Sequence, residues 1–259
     1  MKLSIFQVDA FTDHVFGGNP AAVCPLDAWL DDAIMQQIAS ENNLSETAFF
    51  VQNKDVYDLR WFTPEIEVDL CGHATLATAH VLFEHLEFDK SEIHFQTKSG
   101  LLKVSKEDGR LLMDFPTDDM PQVDPPAVLF QALGIRSDYV FYTDDYMVVL
   151  DSEEEVQDLD PDFRILSEVN ARGVIVTAAG NEVDFVSRFF APGAGIDEDP
   201  VTGSAHTKLT PYWSKRLGKD VLEARQISKR IGELTCRNKG ERTEILGNAI
   251  TFMIGEIHI

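Results

Sequence analysis

The same run of residue types occurs twice in this chain. Arg60-Trp-Phe-Thr-Pro64 is matched by Arg188-Phe-Phe-Ala-Pro192 at an offset of 128 (60 to 188), and Gly72-His-Ala74 by Gly203-Ser-Ala205 at an offset of 131 (72 to 203). A nearly constant offset is the mark of a duplicated unit, and the difference of three places an insertion in the second loop. Each copy runs from a strand ending at Phe-x-Pro, through an acidic loop, to a Gly-x-Ala step that opens an amphipathic helix. The two loops are Glu67-Val-Asp-Leu-Cys-Gly-His73 and Gly195-Ile-Asp-Glu-Asp-Pro-Val-Thr-Gly-Ser204. The chain therefore reads as two homologous α/β halves.

Alternating strands, turn signals and short helices fill out both halves. Leu3 to Ala10 and Ala21 to Cys24 read as strands around Phe16-Gly-Gly-Asn-Pro20, and Asp-Gly at 108–109 marks a hairpin. A proline- and aspartate-rich stretch at 116–126 separates residues 1–118 from 119–259, with terminal strands free to cross between the halves. Pro211 falls inside the second central helix and predicts a kink or a split there.

The 259 residues carry a formal charge of −22, spread as −12 over residues 1–118 and −10 over 119–259. An even negative surface disfavours nucleic acid and anionic membranes as partners, so an anionic substrate needs local donors. Three cysteines with no CxxC suit a reducing compartment, and no long apolar run suggests a signal peptide or membrane span. The expectation is a cytoplasmic protein.

The duplicated helix starts are the candidate site. Backbone N–H groups in a helix's first turn lack intrahelical partners, and Gly72 and Gly203 let a ligand approach them closely. Capping by Thr202 or Ser204 explains a single such start, but recurrence favours a pair of anion-binding ends facing a cleft. His73, near a positive helix end, is expected to stay neutral and donate to a carboxylate or oxyanion. Glu46, among apolar strand residues, is a candidate general acid/base, because burial raises a carboxyl's pKa. The alternative is a solvated strand-end carboxylate. Asp199, just before the second helix, is a candidate to orient a substrate hydroxyl or amine. Cys71 at a helix start is expected to have a lowered pKa. Its counterpart Thr202 cannot act as a base, which disfavours a two-thiol racemase. His80 and Glu84 have no third metal ligand at suitable spacing, and Gly193-Ala-Gly195 is no dinucleotide fingerprint, so no cofactor or metal is expected.

Across nearly the whole length these residues resemble the PhzF-like (phenazine biosynthesis-like) family. The resemblance rests on Gln7-Val-Asp-Ala-Phe11, Phe16-Gly-Gly-Asn-Pro-Ala-Ala-Val23, Glu46-Thr-Ala-Phe49, Trp61-Phe-Thr-Pro64, Cys71-Gly-His-Ala-Thr75 and Ala191-Pro-Gly-Ala-Gly-Ile-Asp-Glu-Asp-Pro-Val-Thr-Gly-Ser-Ala-His206. It implies the diaminopimelate epimerase-like fold, with two pseudo-symmetric barrel-like halves, each a mainly antiparallel sheet around a central helix. It also implies a homodimeric, cofactor-independent isomerase acting on a small carboxylate. Glu46 matches the family's proton-carrying glutamate, and His73, Asp199 and Ser204 match its substrate-contacting residues. The alternatives are an epimerase or racemase using Cys71, or a catalytically silent carboxylate-binding protein.

Overall fold

The alternation at the start of the chain becomes β1 (Lys2–Ala10), with Phe6, Val8 and Ala10 buried. It pairs antiparallel with β2 (Asn19–Leu26), and α1 (Asp32–Asn42) then leads to β3 (Glu46–Asn53), which runs parallel to β2. A parallel pair needs such a crossover, because a tight turn reverses the chain. β4 (Val56–Phe62) returns antiparallel and takes the short β5 (Glu67–Val68) as an antiparallel partner. After α2 (Gly72–His85), β6 (Glu92–Thr97) lies parallel to β4, and β7 (Gly100–Glu107) and β8 (Arg110–Pro116) complete a meander. Asp108 and Gly109 both have positive φ at the β7–β8 turn, as a two-residue hairpin with a right-handed strand twist requires.

The next stretch supplies α3 (Ala127–Leu133), β9 (Val140–Tyr142), β10 (Tyr146–Val149), α4 (Glu153–Gln157), α5 (Phe163–Leu166), β11 (Val174–Ala179) and β12 (Phe185–Ala191). One 3₁₀ turn at Pro192–Ala194 precedes β13 (Ile196–Asp199) and α6 (Gly203–Leu217). β14 (Val221–Gln226), β15 (Gly232–Asn238), β16 (Arg242–Gly247) and β17 (Ala249–His258) close the chain.

The computed structural model describes residues 1–259 as two units: Met1–Phe115 with Glu244–Ile259, and Pro116–Thr243. The last strand belongs to the first unit because β17 pairs along the whole of β1, from Lys2↔His258 to Ala10↔Ala249. Each unit is a mixed α/β structure with its own core. In the first, α2 is buried on nearly every face from His73 to Leu82 and packs on β1, β2, β3 and β17. In the second, α6 packs on β14 and β15.

The duplication is visible in the pairing order of each unit. β2–β3 parallel, β3–β4 antiparallel and β4–β6 parallel in the first are repeated as β10–β11 parallel, β11–β12 antiparallel and β12–β14 parallel in the second. β5 adds to β4 just as β13 adds to β12. The three extra residues fall between Pro192 and Glu198, where the 3₁₀ turn leads into β13.

Pro211 does not split the second central helix, because α6 runs unbroken from Gly203 to Leu217. Proline removes the N–H that would bond the Thr207 carbonyl, and that carbonyl instead accepts the Asp118 backbone N–H at 3.2 Å.

The core of the second unit also holds an ionisable group. His206 on α6 is fully buried, its Nδ1–H donates to the Thr202 carbonyl at 2.8 Å, and burial pulls its pKa down to about 4. The unfolded chain therefore binds this proton more tightly than the native state, so stability is full above about pH 6.5 and falls as pH drops toward 4. Urea unfolding of the wild type across that window should show about 1.4 kcal/mol per pH unit from this proton. The His206→Gln variant should lose that component of the slope.

Candidate active site

A matched pair of arginine–glutamate forks holds the loops that lead to the two helix starts. Arg60 Nε and Nη2 donate to Glu67 Oε1 and Oε2 at 2.7 and 2.9 Å, and Arg188 donates in the same way to Glu198 at 2.7 and 3.1 Å. The arginine and its glutamate are 7 residues apart in the first copy and 10 in the second, which absorbs the three-residue insertion. The Arg60 guanidinium, with Lys98 nearby, holds the Glu67 carboxyl down at about 2. Bidentate geometry of this kind fixes orientation as well as position.

Both central helices begin on extended residues, Cys71 and Thr202, and neither side chain makes a capping hydrogen bond. The capping interpretation of these starts therefore does not apply. Thr202 is used otherwise: its N–H donates to Gln226 Oε1 at 2.8 Å, and its hydroxyl donates to Asp199 Oδ2.

In the first unit the structure brings Glu46, Cys71, Gly72 and His73 together. The parallel β2 and β3 place Asn19 and Glu46 at adjacent strand starts, where α2 also begins. Asn19 reaches this point because Gly18 turns at φ +59, a position where a Cβ would strike the Ala10 carbonyl. Asp9 steadies the same loop by accepting the Phe16 N–H at 2.9 Å. His73 Nδ1 lies 3.2 Å from the Asn19 side-chain amide and 3.5 Å from Cys71 Sγ. Its Nε2 lies 3.1 Å from Glu46 Oε2, outside hydrogen-bond geometry, so both buried atoms are left without such a bond.

Two electrostatic expectations are corrected here. His73 is not kept neutral: burial disfavours its charge, but the Glu46 carboxylate opposes this and the pKa is raised above the ordinary histidine value. A carboxylate at 3.1 Å exerts a stronger field than the partial charge of a helix end. Cys71 is not activated either, because burial pushes its thiol up to about 11, with the Glu46 carboxylate acting in the same direction.

In the second unit Asp199, Gly203 and Ser204 lie around the start of α6. Gln226, unremarkable in the sequence, donates to the Asp199 carbonyl at 2.7 Å and so ties β14 to this loop. Arg172 Nη1 donates to Ser204 Oγ at 3.0 Å. Lys208, one turn beyond Ser204 and 5 % exposed, pairs with Asp118 at 2.9 Å and Asp144 at 3.0 Å. The roles of Gln226, Arg172 and Lys208 were not evident from sequence patterns, although Ser204 and Lys208 share the i,i+4 spacing of one helix face.

Donor atoms of Glu46, Cys71 and His73 lie within 4.8 Å of one another. Cys71 faces His73 Nδ1 and Glu46 faces Nε2, on opposite sides of the ring. His80 and Glu84 are occupied elsewhere: His80 contacts Thr251 at 2.9 Å, and Glu84 accepts from Lys106 at 2.6 Å. No helix is long and apolar enough to cross a membrane.

A family model described as phenazine biosynthesis-like protein matches residues 8–255. A Pseudomonas aeruginosa protein named as an uncharacterized isomerase is 55% identical over 259 residues, covering 100% of both chains. A crystal structure of a PhzF-family phenazine biosynthesis protein from Enterococcus faecalis has TM-score 0.97 and 48% identity, covering 100% of both chains. The fold alone extends to a probable proline racemase from Agrobacterium radiobacter, at TM-score 0.67 and 12% identity over 99% of this chain and 93% of that one. This chain belongs to the phenazine biosynthesis-like family and has the fold of that family, which it shares with the proline racemase and epimerase group.

Two measurements follow. Iodoacetamide at pH 8 should modify Cys71 far more slowly than a free thiol, because a pKa near 11 leaves about one thiolate in a thousand. Rapid modification in the folded protein would contradict the assignment. Lys208→Met should cost about 1–3 kcal/mol in urea unfolding, less than a fully buried pair, since Asp118 and Asp144 are partly solvated and Arg172 still faces Asp144 and Asp145.

Proposed function

We propose that the chain is an isomerase that moves a proton within a small carboxylate-bearing substrate without a cofactor, with Glu46 as the general acid/base. The observation carrying this reading is the buried Glu46 Oε2 beside His73 Nε2, neither hydrogen-bonded, at the start of an uncapped helix. A carboxylate so placed can remove a proton from carbon and return it to another atom on the same face. His73, charged beside Glu46, offers an N–H to negative charge developing on the substrate. The N–H groups at Gly72 and Gly203, with the Ser204 hydroxyl, are assigned to the substrate carboxylate, and Asp199, held by Thr202, to the orientation of a substrate hydroxyl or amine. The relatives' name as isomerases supports the reaction class.

A thiol-based epimerase is less well supported, because Cys71 holds its proton up to about pH 11 and its counterpart in the second copy is Thr202. The discriminating experiment is deuterium incorporation from heavy water into a panel of cyclic and unsaturated amino and hydroxy acids. Glu46→Gln should slow exchange roughly 10²- to 10⁴-fold while Cys71→Ala retains it. Exchange that survives Glu46→Gln, or is abolished by Cys71→Ala alone, would sink the Glu46 assignment.

A further inference from the structure

Around the start of α6 one cation is fixed on three sides. Arg172 Nε lies 3.2 Å from Asp144 Oδ2, its Nη2 donates to Asp145 Oδ2, and its Nη1 donates to Ser204 Oγ at 3.0 Å. The Arg172 backbone N–H donates to the Asp144 carbonyl at 2.8 Å, and the guanidinium lies 5.5 Å from the centre of the Phe189 ring. Phe189 comes this close because the next residue is Gly173, where any Cβ would collide with the ring. Asp145 is fully buried and also faces Lys208 at 3.4 Å, so the carboxylate that aligns Arg172 is itself anchored in the core.

The charges show what this arrangement can do. Arg172 and Lys208 face Asp118, Asp144 and Asp145, two cations against three carboxylates, so the cluster adds no net positive charge. What remains is direction. A guanidinium has only donors, so Ser204 Oγ accepts from Arg172 and its own proton is left to donate elsewhere. Ser204 is the second residue of α6, where its backbone N–H has no intrahelical acceptor. Its O–H and N–H are thereby both available as donors to one anion.

We infer that Arg172 is a positioning residue, fixing the Ser204 hydroxyl as a donor to the carboxylate held at the start of α6. This rests on the proposed carboxylate-binding role of that helix start. Lysine at the same place keeps the charge but has no planar fork to reach Asp144, Asp145 and Ser204 together. The role therefore requires arginine rather than any cation.

The test uses benzoate as probe, titrated against the full chain while the Gly203 and Ser204 amide signals are followed by NMR. The wild type should show saturable shifts at both amides. Arg172→Lys, at an unchanged thermal midpoint, and Ser204→Ala should each weaken binding about tenfold, with the double variant no weaker than either single one. Wild-type affinity in Arg172→Lys would overturn the inference. So would an Arg172→Lys loss that persists at full size in the Ser204→Ala background, since that marks a general structural effect. If Arg172→Lys fails to fold, Ser204→Ala still decides, because undiminished benzoate binding there removes the hydroxyl from the site. Absence of shifts at Gly203 and Ser204 in the wild type would instead overturn the carboxylate-binding reading itself, and this inference with it.

Discussion

The helix starts depend on a constraint applied four residues before them. Glu67 precedes Cys71, and Glu198 precedes Thr202, by the same interval, and each glutamate is gripped through both oxygens by an arginine on the preceding strand. These pairs are mostly buried, with side-chain exposures between 13% and 19%. In such surroundings a fork geometry holds its loop more firmly than a solvated ion pair would. A loop fixed from the strand side does not need its last residue to cap the helix. Cys71 and Thr202 are accordingly free of that task, and the first-turn N–H groups remain open to a ligand.

The two copies have kept the clamp and diverged in what surrounds it. In the first unit the helix start meets a carboxylate, an imidazole and a thiol, and burial raises the thiol while the carboxylate helps to hold the imidazole in its charged form. In the second, threonine replaces the thiol and turns its hydroxyl onto Asp199, and the neighbouring groups are amides, hydroxyls and an arginine. One copy offers groups suited to proton transfer, the other groups suited to holding and orienting. In a chain of net charge −22, such local donors are what an anionic ligand requires.

Much of this was legible in particular residues. The offset between Arg60 and Arg188 and between Gly72 and Gly203 exposed the duplication, and the motifs around Glu46, Cys71 and Gly203 carried the family resemblance. The continuity of α6 through Pro211 was not legible, because it depends on Asp118, 93 positions back in the chain (118 to 211), bonding the freed Thr207 carbonyl. The ionisation of His73 and Cys71 does not follow from helix position alone. Both are set by burial and by Glu46, whose distance from them no local pattern contains.

The sequence by itself determined the two-fold repeat, the family, and the residue types at each helix start, since these are matters of order and spacing along the chain. The tertiary structure alone decided that β17 joins the first unit by pairing with β1, that Glu46 Oε2 meets His73 Nε2, and that Arg172 reaches Ser204. The physical reason is common to all three. Each is a contact between segments brought together by sheet pairing or burial, and the fields and hydrogen bonds that tune the site act over ångströms of space whatever the separation in sequence.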